Sequence, residues 1–488
     1  MIKLNRETYR DKMFACWLGK NIGGTMGGPY EGVRELLDIK GFSTPKNTTL
    51  PNDDLDLQIV WLAALERLGP YDLTAQKLGE FWQSYVTPHW NEYGICKTNM
   101  SVGLVPPLAG DYRNEEWKNS NGAWIRTELW ACLAPACPDV AVKYAYEDGC
   151  VDHGAGEGTT AAIFVAAMES AAFVETDIRK LVDIGLSKIP EDSRTARSIR
   201  LLLECFDSGM SWSDARNAIL KENEDIGDGW FEAPSNVAYA VLGLLYGDGD
   251  FKKSMITAIN CGDDTDCTAA TLGSLLGIMG GSRVIPEDWR EHMGDADDIV
   301  SISIALGVLY NTPKTCTELT ERIMKQCPIV LAANNADVII HDGADEIPEN
   351  VTDGFYSGEF ARSLCTRPVN SFTVDFNYAN VTVCFDGDPE IAPNGQKKIK
   401  LHFENNCDVY GGITYNMSLR WILPEGWTID GKNTLMLPHI TIRNPHPSLD
   451  AEYTITANEN VASINRLILE IVTAGRPTVG LVPIVIMG

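Results

Sequence analysis

Two groups of acidic residues, far apart in the chain, contain the side chains that proteins use to bind divalent cations. The first group is NDDLD at residues 52–56, and an apolar run follows it. The second group is GDDTDC at residues 262–267, and a run of small apolar residues follows it. Neighbouring carboxylates repel one another, and water, protonation or a bound cation relieves that repulsion. If the two groups meet in the fold, their oxygens suit Mg²⁺ or Mn²⁺.

Acidic residues at the start of a helix also have a purely structural use. Asp and Asn side chains accept hydrogen bonds from the first backbone N–H groups, and the helix dipole favours negative charge there. One such group taken alone fits either interpretation equally well. The same composition and setting occur twice in this chain, and that recurrence favours a shared metal site.

Three further loops carry polar groups that could take part in chemistry. Glu31 lies near the end of a glycine-rich segment at residues 23–32 and is a candidate acid or metal ligand. Residues 120–126 place an Asn-Gly turn before Arg126. Asp152 and His153 precede a second glycine-rich segment and are either an acid/base pair or a helix cap beside a satisfied histidine. Without further context the structural interpretation of that pair is favoured.

Length and composition indicate a multidomain protein that does not span a membrane. A chain of 488 residues exceeds what one core usually supports, so at least two domains are expected. No apolar run is long enough to cross a bilayer, and the first residues lack the apolar stretch of a secretory signal. The 13 cysteines form no CxxC pair, which suits a reducing, cytoplasmic location.

The charge balance narrows the class of partner. Asp and Glu number 67 against 40 Lys and Arg, which gives a formal charge of −27. Such a field repels nucleic acid and anionic membranes, so we expect neither as a partner. It also disfavours a polyanionic substrate unless a cation offsets the charge. A small-molecule ligand is therefore expected, and a homo-oligomer is compatible with the sequence.

Apolar periodicity predicts that residues 1–335 form an all-α domain. The first helix is predicted over residues 6–20, before the glycine-rich segment. Further helices are predicted at residues 57–68, 74–86, 159–173, 199–205, 213–221, 237–246, 299–309 and 319–324. The candidate functional groups fall on the loops between these helices or at their first turns.

From about residue 371 the pattern changes to alternation with a period of two. It indicates strands at 372–376, 381–385, 398–403, 419–422, 440–442, 453–455 and 467–472. Turn residues separate them at short intervals, as is typical of a β-sandwich. We therefore predict an immunoglobulin-like, antiparallel β-sandwich accessory domain at 371–488 and a connector at 336–370. No acidic helix start occurs in this half, so the chemistry is assigned to the first domain.

Taken together, five segments resemble the ADP-ribosylglycohydrolase family, which includes the dinitrogenase-reductase-activating glycohydrolases. In chain order they are the glycine-rich loop with Glu31, Asn52-Asp53-Asp54, Asn121-Gly122-Ala123 with Arg126, Asp152-His153, and Gly262 to Cys267. The last segment is the most specific match, and the others gain weight from their order. The resemblance spans about residues 6–285, and the β-rich remainder lies outside it.

The resemblance implies a helical domain with a two-metal site, holding Mg²⁺ or Mn²⁺, in a cleft. The metal ligands on this chain would be Asn52, Asp53, Asp54, Asp264, Asp266 and Cys267. The catalytic groups would be Glu31, Asp54 and Asp264, and the substrate-binding residues would be Asn121, Gly122, Arg126, Asp152, His153 and Gly154.

Three positions depart from the family pattern. Asn52 replaces a Thr, and its amide oxygen is still a hard donor. Cys267 replaces another Thr, and a thiol suits Mg²⁺ poorly. Thr25 stands where the family usually has Asp.

The implied activity is metal-dependent hydrolysis of a glycosidic bond at the anomeric carbon of ADP-ribose or a related ribosyl conjugate. Two alternatives stay open: the same site acting on a glycoside without ADP-ribose, and a sugar-binding protein without catalysis. The sequence shows no Arg- or Lys-rich loop for a diphosphate, although backbone amides near residues 154–156 would serve.

Overall fold

Helices follow one another through most of the first 366 residues, and the antiparallel strands begin after them. The structure is a computed structural model that describes residues 1–227, 230–294, 297–298, 309–406 and 414–488. Within these residues the helices are α1 Arg6–Gly27, α2 Asp53–Leu68, α3 Ala75–Tyr85, α4 Asn91–Val102, α5 Leu108–Asp111, α6 Glu128–Leu133, α7 Pro138–Asp152, α8 Glu157–Ala171, α9 Ile178–Lys188, α10 Arg194–Asp207, α11 Trp212–Glu222, α12 Ala233–Tyr246, α13 Phe251–Asn260, α14 Thr265–Gly280, α15 Glu287–Met293, α16 Cys316–Ala333 and α17 Glu359–Leu364. The strands are β1 Ile2–Asn5, β2 Val338–His341, β3 Ser371–Phe376, β4 Ala379–Phe385, β5 Gln396–Asn405, β6 Tyr415–Ile422, β7 Thr428–Asp430, β8 Thr434–Leu437, β9 Ser448–Thr456, β10 Ile464–Thr473 and β11 Val479–Met487.

The chain divides into two compact units. The helical unit comprises residues 1–95 and 114–366, and the β unit comprises residues 96–113 and 367–488. This order confirms the predicted fold class, a helical region followed by antiparallel sheets. The helical unit also contains a pair of parallel strands, β1 and β2, that the sequence patterns did not predict. The predicted boundaries at 335 and 371 and the immunoglobulin-like description of the second domain stay predictions.

Helices α1 and α14 run antiparallel and pack backbone against backbone. A Cβ atom on Gly19 would lie 2.2 Å from the Gly273 carbonyl oxygen, and one on Gly23 would lie 2.3 Å from Ala269. A Cβ on Gly27 would lie 2.2 Å from the Thr265 carbonyl oxygen. These glycines recur every four residues and therefore share one face of α1. Their spacing brings the end of α1 to the start of α14.

This packing corrects one prediction. The sequence predicted a helix over residues 6–20 and then a flexible glycine-rich turn, but α1 continues to Gly27. Glycine weakens an isolated helix, and that cost is offset here by close contact with a second helix. Only the segment from Gly28 onward, with Glu31, leaves the helix.

The β unit consists of two antiparallel sheets that share one core. Five strands pair in the order β3-β4-β5-β9-β7, and four pair in the order β11-β10-β6-β8. Leu401 of the first sheet and Leu469 of the second belong to the same buried cluster, which also includes Leu108 and Tyr112 from residues 96–113. Alternating burial along β4 and β10 explains why these strands were predictable.

Two sequence predictions have different outcomes here. The strand predicted at 440–442 is wrong, because Thr441 instead pairs with Asn444 in a turn. The helix predicted at 299–309 lies almost wholly outside the described residues.

No helix among the described residues is long and apolar enough to cross a membrane. The cytoplasmic location, the exclusion of nucleic acid and the homo-oligomer stay predictions.

Candidate metal centre

The first turns of α2 and α14 bring the two acidic groups together. One ligand atom each from Asp54, Asp266 and Cys267 lie within 4.8 Å of one another. The Cys267 thiol donates a hydrogen bond of 3.3 Å to Oδ1 of Asp54. Asp54 is fully buried, and Asp266 and Cys267 are 9% and 6% exposed. The convergence expected from the sequence is therefore present, while the role of each residue as a ligand stays a prediction.

A second group of carboxylates adjoins the first. Ligand atoms of Glu31, Asp264 and Asp266 also lie within 4.8 Å of one another. Asp266 belongs to both groups, and Glu31 is on the exposed side of the second. A carboxylate shared in this way can bridge two ions about 3.5–4 Å apart. The arrangement is compatible with one ion or with two.

Several buried polar atoms in the two groups lack hydrogen-bond partners within the described parts of the chain. They are Oδ2 of Asp54, Oδ1 of Asp264, Oδ1 of Asp266, and both amide atoms of Asn52. Leaving such a group unsatisfied costs about 1–3 kcal/mol, and more when it is charged. A bound divalent cation would satisfy the carboxylate oxygens and remove their repulsion, so the donor set fits such an ion.

The electrostatics of the metal-free site agree with that fit. Burial, followed by repulsion from Asp266, raises the pKa of Asp53 to about 6. Repulsion from Asp266, followed by burial, raises the pKa of Glu31 to about 8. Burial also raises the pKa of Asp54 and of Asp264 well above its ordinary value. Without a cation these carboxyl groups therefore retain protons at higher pH than in water.

Asp263 has a structural part in holding Glu31 beside the second acidic group. Its backbone N–H donates to the Val33 carbonyl (2.7 Å), and its own carbonyl accepts from Gly32 N (2.9 Å). Its carboxylate accepts from Phe231 N (3.2 Å) and Asn236 Nδ2 (3.1 Å). The backbone φ of Asp263 is +67°, a conformation that Asp tolerates better than most residues. The loop after α1 is thereby fixed next to Asp264.

Asn121, predicted to bind substrate, contacts a predicted metal ligand. Its Nδ2 donates to Oδ2 of Asp264 at 2.6 Å, and its Oδ1 accepts from Trp124 Nε1 at 2.8 Å. Both ends of the amide are therefore used within the protein. This geometry orients the Asp264 carboxylate.

Arg126 lies in a buried ion-pair network. Its Nε donates to Asp148 (2.8 Å), one terminal nitrogen donates to Asp152 (2.7 Å), and the other also reaches the Gly122 carbonyl. The guanidinium is fully buried and stacks 4.9 Å from the centre of the Trp82 ring. Burial raises the pKa of Asp152, but the Arg126 charge, together with His153 and the hydrogen bonds from both residues, outweighs burial and lowers the pKa to about 2. The polar atoms of Arg126 and Asp152 hold the loop, and the substrate contact of these two residues stays a prediction.

His153 fits the structural interpretation that the sequence favoured. Its Nδ1 lies 2.9 Å from Oδ1 of Asp152, and its Nε2 lies 3.2 Å from Ser120 Oγ. The ring is fully buried. A Cβ on Gly122 would lie 3.1 Å from its Cε1 and 2.4 Å from a Glu92 oxygen, so a larger residue would disturb this packing.

Gly154, the last of the predicted substrate-binding residues, is part of the turn after α7. Its φ is +51°, which favours glycine, and its carbonyl accepts from Thr159 Oγ1 at 2.8 Å. The next glycine, Gly156, donates its N–H to the His153 carbonyl at 2.8 Å. That N–H is therefore already used.

Lys20, Glu128 and Gln58 form a buried network that the sequence analysis missed. Lys20 Nζ lies 2.6 Å from Oε1 of Glu128 and 3.8 Å from Oδ2 of Asp54. Gln58 Nε2 donates to Oε2 of Glu128 at 2.8 Å, and Leu129 N donates to Oε1 of Gln58 at 2.7 Å. Burial lowers the pKa of Lys20, but the Glu128 and Asp54 carboxylates outweigh it and raise the pKa overall.

A signal for Lys20 was present in the sequence. Tyr9, Met13 and Trp17 occupy one apolar face of α1, and Lys20 continues that face three residues later. A lysine on an apolar face is buried only when a carboxylate pairs with it. The pattern could therefore have predicted a buried ion pair, although not its partner.

The chain is similar to known glycohydrolases. Residues 5–317 match the sequence model of the family described as ADP-ribosylglycohydrolase. Twenty-nine chains of solved structures match as well. One of them, described as an "ADP-ribosylglycohydrolase-related protein complex", is 18% identical, with 67% of this chain and 99% of that chain covered and a TM-score of 0.45. No curated protein matches the chain.

Proposed function

Because the chain belongs to the ADP-ribosylglycohydrolase family, we propose that its helical unit is a glycohydrolase dependent on divalent metal. The bond cleaved joins the anomeric carbon of ADP-ribose, or of a related ribosyl group, to an attached group. The observation that supports this proposal is the pair of carboxylate groups that share Asp266, with buried oxygens that no described residue satisfies.

The ligands follow from the two groups. Glu31, Asp264 and Asp266 would hold one ion, and Asp54, Asp266 and Cys267 would hold the other. Asn52 and Asp53 adjoin Asp54 at the start of α2 and complete the proposed set. Bound Mg²⁺ or Mn²⁺ supplies Lewis-acid chemistry and an anchor for vicinal sugar hydroxyls.

Glu31 is the best-placed group for proton transfer, because it is the exposed member of the two groups. In the proposed reaction a water oxygen attacks the anomeric carbon while the bond to the leaving group breaks. Glu31 accepts the proton that the water loses, the leaving group takes a proton from solvent, and Glu31 then returns its own proton to solvent. Such general acid–base assistance is typically worth about 10²–10⁴-fold in rate. Asp54 and Asp264, our other catalytic candidates, orient the reacting groups.

A second candidate function is hydrolysis of a glycoside that carries no diphosphate. The donors of Arg126 are bound to Asp148, Asp152 and Gly122, and the N–H of Gly156 is bound to His153. Of the backbone amides near residues 154–156 that the sequence offered for a diphosphate, the N–H of Gly156 is therefore already paired, and the neighbouring Arg126 is bound by carboxylates of the protein. The formal charge of −27 also disfavours an anionic substrate.

A panel of substrates tests the proposal. The purified full chain, with Mg²⁺ or Mn²⁺ and with excess chelator as control, is incubated with ADP-ribosylated arginine, ADP-ribose esters and aryl glycosides. Metal-dependent release of ADP-ribose supports the first function, and release only from aryl glycosides supports the second. Metal binding by calorimetry without turnover of any substrate would favour a sugar-binding protein, and turnover unaffected by chelator would overturn the metal mechanism.

A further inference from the structure

We propose that the two ligand groups take chemically different ions. The group of Glu31, Asp264 and Asp266 takes a hard ion such as Mg²⁺, and the group of Asp54, Asp266 and Cys267 takes a thiophilic ion such as Zn²⁺ or Co²⁺. This inference rests on the proposed metal site and specifies the ions that it selects.

The position of the Cys267 sulfur carries the argument. It lies 3.3 Å from Oδ1 of Asp54 and within 4.8 Å of ligand atoms of both aspartates. Its side chain is 6% exposed, so the sulfur faces the group and not solvent. An ion held by the two carboxylates would therefore be next to sulfur.

Buried oxygens of this group that accept no hydrogen bond within the described residues point independently to a ligand. Asp54 is fully buried, and its Oδ2 has no hydrogen-bond partner among the described residues. Its separation of 3.8 Å from Lys20 Nζ is too long for a hydrogen bond. Oδ1 of Asp266 is also buried without a partner in the described structure. One carboxylate oxygen from each of the two aspartates lies within 4.8 Å of the other and of the Cys267 sulfur.

The donor types differ between the two groups. Carboxylate oxygens suit Mg²⁺ and Mn²⁺, whereas thiolate sulfur binds zinc and related ions more strongly. Zinc sites that bind a substrate have three protein ligands and one open position, and both Cys sulfur and carboxylate oxygen occur among zinc ligands. The group that contains Glu31 has no sulfur, and its exposed side admits the water molecules that Mg²⁺ retains.

A simpler interpretation is that Cys267 is an ordinary buried thiol that donates to Asp54. It predicts that a bound ion has oxygen ligands alone. The two interpretations therefore differ in an observable that does not depend on catalysis, namely a sulfur–metal bond.

Cobalt absorption spectroscopy on the full chain tests the proposal. Metal-free protein is titrated with Co²⁺ in the presence of excess Mg²⁺. We expect a sulfur-to-cobalt charge-transfer band in the near ultraviolet that saturates at one Co²⁺ per chain. Cys267→Ser and Cys267→Thr should lose this band and still bind Mg²⁺. Removing a residue that only hydrogen-bonds to a metal ligand typically lowers metal affinity by about 10–100-fold. Because the sulfur would be a ligand itself, its loss should weaken Co²⁺ binding by about 100-fold.

Cys205→Ser is the matched control, because Cys205 is also a buried cysteine of the helical unit, on α10. It should retain the band. If the Cys267 variants do not fold, alkylation of the wild-type chain, mapped by mass spectrometry, tests the sulfur–metal bond instead. Bound Co²⁺ should protect Cys267 from the alkylating reagent.

The outcomes separate this inference from the proposed function. Bound Co²⁺ without a charge-transfer band, or a band that persists in both Cys267 variants, would overturn the proposal that the two groups take different ions. Either result would leave the proposed metal-dependent hydrolysis intact. Absence of any divalent-ion binding would overturn both.

Discussion

The Lys20 ammonium nitrogen lies 3.8 Å from Oδ2 of Asp54 and 2.6 Å from Oε1 of Glu128, and all three side chains are fully buried. A buried, positively charged lysine therefore lies next to Asp54 at the start of α2. It fixes Glu128, and Glu128 in turn accepts a hydrogen bond from Gln58 on α2. The Asp54 carboxylate of the candidate metal centre is therefore supported from inside the protein by Lys20.

Lys20→Met should destabilise the protein strongly. The substitution leaves Glu128 buried without its cation, and breaking a buried pair from one side typically costs about 3–5 kcal/mol. Chemical denaturation monitored by circular dichroism measures the loss. Lys3→Met is the control, because the Lys3–Glu346 pair is partly exposed to solvent and its loss should change the unfolding midpoint much less. Equal effects of the two substitutions would contradict the account of Lys20.

Asn121→Ala should weaken metal binding without unfolding the protein. Asn121 donates to Oδ2 of Asp264, and loss of such an outer contact to a ligand costs about 10–100-fold in metal affinity. Calorimetric titration of Mn²⁺ measures the change. Asn217→Ala, at an exposed position on α11, is the control. Unaltered affinity in Asn121→Ala would mean that Asp264 is not held by this bond.

Gly27→Ala should separate α1 from α14 and disturb the candidate metal centre. The added Cβ would meet the Thr265 carbonyl at 2.2 Å, and overpacking of this kind typically costs about 1–3 kcal/mol. A lower thermal midpoint together with weaker metal binding is expected. Gly41→Ala meets nothing within 4 Å and serves as the matched control. A midpoint in Gly27→Ala as high as in the control would refute the close packing.

Metal binding should weaken as the pH falls from 8 through 6. In the metal-free protein the pKa of Glu31 is raised to about 8, chiefly by Asp266, and that of Asp53 to about 6, chiefly by burial. Below these values a cation must displace protons, so the apparent affinity decreases and protons are released on binding. Calorimetry in two buffers of different ionisation enthalpy counts those protons. Affinity independent of pH, with no proton released, would exclude these carboxyls as ligands.

Asp266→Asn should abolish stabilisation by either ion, because Asp266 is the residue that both groups share. A ligand that binds only the folded state at about 100 times its Kd stabilises by roughly 2.7 kcal/mol. The metal-dependent rise in the thermal midpoint seen with wild-type protein should therefore disappear. Asp248→Asn, at an exposed turn with φ +54° that Asn also tolerates, should keep the full rise. A full rise in Asp266→Asn would place the ion elsewhere.

The convergence of Asp54 and Asp266 could be predicted because both follow from local composition. Each lies in the first turn of an apolar helix, and the recurrence of that setting suggested a common site. The strands were predictable for a similar reason, since alternating burial leaves a period of two in the sequence. Local patterns of this kind need no knowledge of what lies across the core.

Features that depend on contacts between distant segments were not predictable. Gly23 and Gly27 indicate a flexible turn when read locally, and only the surface of α14 explains why they are helical. Arg126 stands in a loop typical of ligand contact, yet Asp148 and Asp152 from α7 occupy its donors. The position of Lys20 on an apolar face predicts a buried ion pair but does not identify Glu128 as the partner. In each case the contacting residue depends on tertiary packing, which cannot be deduced from one segment of the sequence.

The antiparallel seam between α1 and α14 has a consequence for synthesis of the protein. Helix α1 leaves the ribosome before α14, and its glycine face has no surface to cover it until the residues of α14 follow, more than 200 positions later. A contact of such long range forms late, because the intervening chain must first be ordered. The nascent polypeptide therefore cannot capture an ion with both acidic groups until most of the helical unit has been translated.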